Sequence, residues 1–320
     1  MGLHVITGAG AIGTATARLL AASGERVRVI TRSGGGPDLP LVERVAADIT
    51  DTGRLAELLH GARTLYNAAA PAYQDWRTAF PPLAASLLAA AGRTGTDYVM
   101  LGNVYGYGPV EGPLTPDLPM RPDSDKGRVR AAMWEEALAA HRAGRVRVAE
   151  VRAGDFLGVN VLGLFPLLAV PAVLAGEEAV LPVGLDAPHA WSYTEDVART
   201  LIAVGGRDDG WGRAWHVPST SELSPRELMG RLAEAAGAPS PRLRTTTREE
   251  LDAAAAADPV MAEMPEMAYQ YDGELRLDAS DTERLLGVRA TELDHVLKEL
   301  ISTGPSAYRP TGPSPISSCG

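Results

Sequence analysis

Residues 8–13 read Gly8-Ala9-Gly10-Ala11-Ile12-Gly13, three glycines at the spacing that brings a backbone against a phosphate. They follow an apolar run, Leu3–Thr7, and open an Ala- and Leu-rich run that ends at Ser23. In that strand–turn–helix setting Gly8 permits a tight turn, Gly10 a close approach to a pyrophosphate, and Gly13 close helix–strand packing. The residues that open the helix, Ala11, Ile12 and Gly13, then receive the phosphates at its N-terminus. A glycine-rich structural turn is the plain alternative, but the second strand directly behind the helix favours dinucleotide binding. That strand, Arg26–Thr31, leads into Thr31-Arg32-Ser33. A binder of NAD places Asp or Glu at this point for the ribose 2′-hydroxyl. None is present, and Arg32 can grip a 2′-phosphate bidentately with help from the Thr31 and Ser33 hydroxyls. The sequence therefore predicts NADP(H), weighed against a solvated loop arginine in a chain rich in them.

The elements that must carry this chemistry alternate. Strand-like runs at 3–7, 26–31, 41–48, 64–70, 96–101 and 145–151 are separated by helical runs at 12–23, 52–60, 82–91 and 125–142. Continuous apolar strands between helices predict an α/β fold with a doubly wound parallel sheet. Farther on, 161–175 reads as a helix or helix pair, 194–205 as an amphipathic helix, 214–218 as a strand, and 240–300 as a small α/β cap. Ser224, Pro225 and Glu227 form a capping-box start to a helix ending near Gly237. Residues 303–320, rich in Pro, Ser and Gly, read as a mobile tail.

Composition bounds the function. The 320 residues are 45% hydrophobic and 22% charged, ordinary usage for a folded chain with an internal pocket. A net charge of −10 argues against nucleic-acid binding. The single cysteine, Cys319, allows neither an internal disulfide nor a Cys-rich zinc site, and no metal-ligand cluster appears. The longest apolar run, Val161 to Ala175, is short for a bilayer and broken by Pro166 and Pro171. With no signal-peptide pattern at the N-terminus, these features predict a cytoplasmic protein without a membrane span; they leave the oligomeric state open.

Five segments, 7–13 (TGAGAIG), 46–51 (AADITD), 67–71 (NAAAP), 104–106 (VYG) and 192–198 (SYTEDVA), occur in the order found in extended short-chain dehydrogenases/reductases. Over roughly residues 2–235 the chain resembles that family. The resemblance implies a seven-stranded Rossmann sheet with a smaller C-terminal substrate domain. We expect 1–158 and 191–218 in the first unit, and 159–190 and 219–302 in the second. It also implies Asp48 and Ile49 near the adenine, and Ala68, Ala69 and Ala70 along the ribose and pyrophosphate. The departures are as informative. The family's Ser or Thr position is Leu101, its catalytic Tyr position is Lys126, and its Lys position is Arg130, so the usual proton relay is missing.

Several residues could replace it. Lys126, one of two lysines in the chain, could hold the nicotinamide ribose or protonate product; a structural lysine at a helix start weighs equally. Tyr105, Tyr107 and Asn103 follow the fifth strand, where open α/β sheets place their sites, and each could donate a hydrogen bond. Turn formation and packing are the alternative for each. Tyr73 and Trp76, after the fourth strand, would meet an aromatic substrate unless they merely pack their own loop. Phe165 would supply an apolar wall, unless its run is core. His189 and His216 read as structural.

Three functions compete. One is NADPH-dependent reduction of a carbonyl on a large aromatic polyketide in antibiotic biosynthesis, since the triad-lacking pattern resembles that of angucyclinone ketoreductases. A hydroxyl beside the carbonyl would then assist the reaction in place of an enzyme acid. The others are a redox-silent NADP(H) sensor or scaffold, and a nucleotide-sugar epimerase or dehydratase. The last needs the tyrosine that Lys126 replaces.

Overall fold

Seven short apolar runs pair side by side into one parallel sheet. The computed structural model describes residues 2–304; the tail expected at 303–320 lies, but for its first two residues, outside them. In chain order the first half runs β1 (Leu3–Thr7), α1 (Ala11–Ala22), β2 (Arg26–Thr31), β3 (Val42–Ala46), α2 (Thr52–Leu59), β4 (Ala62–Asn67), α3 (Trp76–Thr94), β5 (Asp97–Asn103), α4 (Asp125–Arg142) and β6 (Val148–Ala153). The second half adds β7 (Asp155–Leu157), α5 (Val170–Ala175), β8 (Glu178–Leu181), β9 (Trp191–Tyr193), α6 (Thr194–Gly205), β10 (Ala214–His216), α7 (Pro225–Ala236) and β11 (Arg242–Thr245). Five helices close it: α8 (Arg248–Ala257), α9 (Pro259–Ala262), α10 (Met264–Met267), α11 (Tyr269–Asp272) and α12 (Leu293–Thr303).

The sheet order is β10-β6-β5-β4-β1-β2-β3, with every pairing parallel. The chain starts in the interior, moves to one edge, returns and builds to the other. This is the doubly wound Rossmann arrangement, in which ligands sit beyond the carboxyl ends of the strands near β1 and β4. One face carries α2, α3 and α4 over Leu55, Leu59, Phe80, Leu87 and Met133. The other carries α1 and α6 over Ile6, Ala17, Val29, Val197 and Leu201. Buried on both faces, the strands need the continuous apolar runs seen in sequence.

A separate apolar core forms from Phe165, Val170, Leu181, Leu228, Leu232, Val296 and Leu300. Trp191 and Tyr193, expected with the first unit, pack into this second core. Two small parallel pairs, β8 with β11 and β7 with β9, accompany it. No helix among the described residues is long and apolar enough to cross a membrane.

Element ends depart from expectation where packing outweighs local signals. Helix α3 begins at Trp76 rather than Pro82, with Pro81 and Pro82 inside it. Burial of Trp76 and Phe80 holds the turn that two missing backbone donors would otherwise loosen. Strand β6 begins at Val148, three residues beyond the expected start, after the turn that follows α4. The capping box at Ser224 and Glu227 forms as read.

Candidate active site

The glycine turn is built for close approach. Gly8 has φ +90°, and an added Cβ there would lie 2.8 Å from the Ala69 amide nitrogen. A Cβ on Gly13 would fall 2.2 Å from the Gly8 carbonyl oxygen, so α1 meets β1 only with glycine at that position. Gly10 faces open space, and it is the N-cap of α1 without any side-chain cap. The first amides of α1 are thus left for an outside acceptor, as a bound pyrophosphate requires. Beside them Thr7 Oγ1 donates to Asn67 Oδ1 at 2.7 Å, and the same oxygen accepts from the Ala69 amide at 3.1 Å. These bonds fix the β1 and β4 exits, with Ala68 and Ala69 half-buried and Ala70 exposed. The residues present fit a dinucleotide.

At the end of β2, Arg32 and Ser33 are exposed, and Arg32 forms no hydrogen bond or ion pair among the described residues. Thr31 Oγ1 donates to the Gly35 carbonyl at 2.9 Å, and Ser33 Oγ accepts from the Gly35 amide at 3.3 Å. The exposed Asp48 carboxyl is held below its usual range, first by the Thr50 amide and hydroxyl and then by the nearby Arg32 charge. Ile49 is buried beneath it in the core.

The residues after β4 and β5 converge with the start of α4. Ser124 caps α4 by accepting from the Gly127 amide at 3.1 Å. Gly127 has no Cβ, which would sit 2.6 Å from the Tyr105 carbonyl, so the turn carrying Tyr105 rests on the helix. Lys126 is 2% exposed. Its ammonium bonds the carboxylates of Glu263 and Glu266, the latter at 2.6 Å, and lies 4.4 Å from the Tyr73 ring centre. Glu266 also accepts from the Asp125 amide at 2.9 Å. Lys126 therefore fastens α9 and α10 across the site, with two of its three ammonium donors on carboxylates and the Tyr73 ring beside it. Lys126→Ala is expected to cost about 1.5–3 kcal/mol, as for hydrogen bonds to charged groups. It should also speed proteolytic cleavage between residues 258 and 272; cleavage at the wild-type rate would show that Lys126 anchors nothing.

Other expected site residues separate into those that meet here and those that do not. Arg130 is buried, donates to the Leu101 carbonyl at 3.2 Å, and lies 4.6 Å from the Trp76 ring and 4.5 Å from that of Phe80. Trp76 is 7% exposed, touching Tyr73 at 5.2 Å and Tyr105 at 6.0 Å between ring centres. It backs those two tyrosines more than it offers itself. Asn103 Oδ1 accepts from the Tyr105 amide at 3.2 Å and shapes the turn. Tyr107, expected toward substrate, is wholly buried; its hydroxyl lies 2.5 Å from Arg152 Nη1 and 2.7 Å from His216 Nε2. Phe165, expected as a wall, is wholly buried in the second core, edge-on to Trp191 at 4.9 Å. What it supports is Tyr271, 5.8 Å away.

Four residues of this site carried no sequence signal: Asp155, Tyr271, Glu263 and Glu266. The Tyr271 hydroxyl donates to Asp155 Oδ2. His189, read as structural, stacks on Tyr271 at 4.5 Å and 9°. Its Nε2 lies 3.1 Å from the same Asp155 oxygen, without hydrogen-bond alignment, and both ring nitrogens are buried and unpartnered. Burial pushes the Tyr271 phenol well up, and Asp155 adds to it. A carboxylate surrounded by phenols, at the carboxyl end of the sheet, is an arrangement able to orient and pass a proton.

Residues 4–216 match the profile described as the NAD dependent epimerase/dehydratase family. A dTDP-glucose 4,6-dehydratase of Streptomyces griseus is 31% identical over 159 residues, 48% of this chain and 47% of that protein. The chain thus spans about half the length of the curated relative it matches. Among solved structures, DesIV, a dTDP-glucose 4,6-dehydratase from Streptomyces venezuelae, as a double mutant with NAD and DAU bound, superposes with a TM-score of 0.74 at 25% identity. It covers 94% of this chain and 96% of its own. UDP-N-acetylglucosamine 4-epimerase from Bacillus cereus superposes with a TM-score of 0.73 at 15% identity, covering 95% and 96%, and so shares the fold.

Proposed function

Because the chain belongs to the NAD dependent epimerase/dehydratase family, we propose that it is a nicotinamide-dependent oxidoreductase that reduces a carbonyl on a large aromatic ketone of the angucyclinone polyketide type. The observation that carries this reading is the surface beyond β4, β5 and β6. It carries the rings of Tyr73, Tyr105, Tyr269 and Tyr271, backed by Trp76; of its two cations Lys126 is bound to Glu263 and Glu266, and Arg130 is buried against the Trp76 and Phe80 rings. Three arginines near the second core are also paired, Arg226 with Asp186 at 2.6 Å, Arg244 with Glu250 at 2.7 Å, and Arg276 with Glu222 and Glu274, whereas Arg242 meets only the Gly176 carbonyl at 3.5 Å. Free cations favour a nucleoside diphosphate, whereas rings favour a flat polycycle.

The turn at Gly8–Gly13, the start of α1, the Ala68–Ala70 segment, Asp48 and Ile49 would hold the dinucleotide. The reduced nicotinamide supplies a hydride when bound. Thr31, Arg32 and Ser33 support NADP(H) over NAD. Arg32→Ala is expected to raise the KM for NADPH about 10–100-fold, the worth of a lost charge-assisted bidentate contact, and to leave that for NADH nearly unchanged. An equal change for both cofactors would remove Arg32 from the choice between them.

The relatives support a second reading, turnover of a nucleotide sugar. The deciding experiment incubates the protein with NADPH and a panel of polycyclic aromatic ketones and, separately, with NAD and dTDP-glucose. Loss of reduced-cofactor absorbance with the ketones supports reduction. Formation of a keto-sugar without ketone turnover replaces it with the second reading. Tight cofactor binding with neither product makes the protein redox-silent.

A further inference from the structure

We infer that Tyr105 is the catalytic proton donor in this site, Tyr73 its hydrogen-bond partner and Asp155 the positioning residue that holds the phenols together. The inference rests on the ketone-reducing reading above. It starts from a deficit: Leu101 and Lys126 occupy the positions where the resembled family has a hydroxyl and a phenol, and Lys126 is bound to two carboxylates.

The geometry supplies a replacement. Tyr105 sits in the turn that leaves β5, with its amide held by Asn103 and its carbonyl approached by the Tyr269 hydroxyl at 3.4 Å. Its ring leans on Trp76, which in turn meets Tyr73 edge-on. The Tyr73 and Tyr105 hydroxyls are side-chain hydrogen-bond partners of one another. Neither hydroxyl has another hydrogen-bond partner among the described residues, so the pair keeps one proton free for a ligand. Burial pushes the Tyr105 phenol up, Asp155 adds to this, and the bond from Tyr73 pulls it back. Burial pushes Tyr73 up as well, and the Tyr105 hydroxyl pushes the same way. Of the two, Tyr105 follows β5 directly, at the strand end where open α/β sheets place their ligands. Asp155 faces this pair and Tyr271 together, and bonds Tyr271 directly. The buried and unpartnered His189 lies against the same carboxylate from the second core's side.

The carbonyl carbon gains a hydride and is reduced as the nicotinamide is oxidised. Its π pair moves onto oxygen, and that oxygen takes the Tyr105 proton. The Tyr105 phenolate, hydrogen-bonded by Tyr73, recovers a proton from water. A positioned acid of this kind contributes about 10²–10⁴-fold.

The test uses the full chain with Tyr105→Phe, Tyr73→Phe and Asp155→Asn. Tyr105→Phe should lower kcat at least about 100-fold with the KM for NADPH unchanged, and Tyr73→Phe about 10-fold. A second readout needs no turnover. Tyrosinate absorbance is titrated in the cofactor-free protein, where Asp155→Asn should bring phenol ionisation to lower pH by removing a facing negative charge. Normal turnover in Tyr105→Phe, with failure of a ketone whose neighbouring hydroxyl is methylated, would place the proton on the substrate and overturn the assignment. An unchanged tyrosinate titration in Asp155→Asn would overturn the positioning role. If the wild-type protein reduces no ketone, the ketone-reducing reading falls, and the donor role with it; dispensable phenols in an active enzyme defeat the donor role alone.

Discussion

Gly13→Ala is expected to abolish dinucleotide binding, with affinity for NADPH and NADH falling together by more than about 100-fold, and to destabilise the fold by about 1–3 kcal/mol as overpacking does. The added methyl would lie 2.2 Å from the Gly8 carbonyl oxygen and 3.0 Å from its carbon. Both are backbone atoms in the tightest part of the turn, and Gly8 is itself at φ +90° with Ala68 and Ala69 behind it. Neither side can yield, so α1 must tilt away from β1 and carry its free amides out of register with the phosphate site. Gly10→Ala is the control. Its methyl meets no atom within 4 Å, so the fold should be unchanged and any loss of affinity measures crowding of the ligand alone. Calorimetric titration of both variants, with urea midpoints alongside, separates the two effects. Wild-type affinity in Gly13→Ala would show that the turn does not hold the cofactor.

This turn was fully legible in the sequence because its chemistry is local: three glycines, a strand before and a helix after. The same holds for α4, whose limits Asp125 and Arg142 follow from the Ser124 cap and the turn at Gly144, and for the capping box at Ser224. The parallel, doubly wound sheet followed from the alternation of strand and helix and from strands apolar throughout, while the order of its strands came only with the structure. The rest of the site was not legible, for a physical reason. Asp155 and Tyr271 are 116 residues apart, and Lys126 meets Glu263 and Glu266 across 137 and 140 residues. Pairings at that range leave no periodicity to read. Tyr105 and Tyr107 show the same limit at close quarters. Two residues apart in one turn, they diverge, Tyr105 toward Tyr73 and Tyr107 into a buried network, because the second lies against Arg152 and His216. Only the tertiary partner distinguishes them.

Arg152→Ala is the substitution expected to cost most in stability, about 3–5 kcal/mol, the penalty for breaking a buried ion pair from one side. Arg152 and Glu150 project from β6 with side chains 1% and 2% exposed, and Arg152 Nε meets Glu150 Oε2 at 2.6 Å. The guanidinium also meets the Tyr107 hydroxyl and stacks 5.4 Å from the Trp134 ring centre. Its removal leaves a buried carboxylate uncompensated and a phenol without one partner. Replacing both charges, Glu150→Leu with Arg152→Met, should recover most of the loss, because an apolar pair of similar volume removes the desolvation penalty with the attraction. His216 adds a pH signature. Burial, and then the Arg152 charge, hold its imidazole down to about 3 from the usual 6.5. Below 6.5 the unfolded chain binds a proton that the folded chain refuses, so stability falls as pH drops toward 3, by about 1.4 kcal/mol per unit. Without Arg152 one of the two forces opposing protonation is gone, so the folded-state value rises and the acid loss attributable to His216 shrinks. Urea midpoints measured near neutrality and in mild acid should therefore show a large drop in stability for Arg152→Ala at neutral pH and a shallower decline below it. A loss under about 1 kcal/mol, with the wild-type pH slope retained, would mean that the pair is neither isolated from water nor coupled to His216.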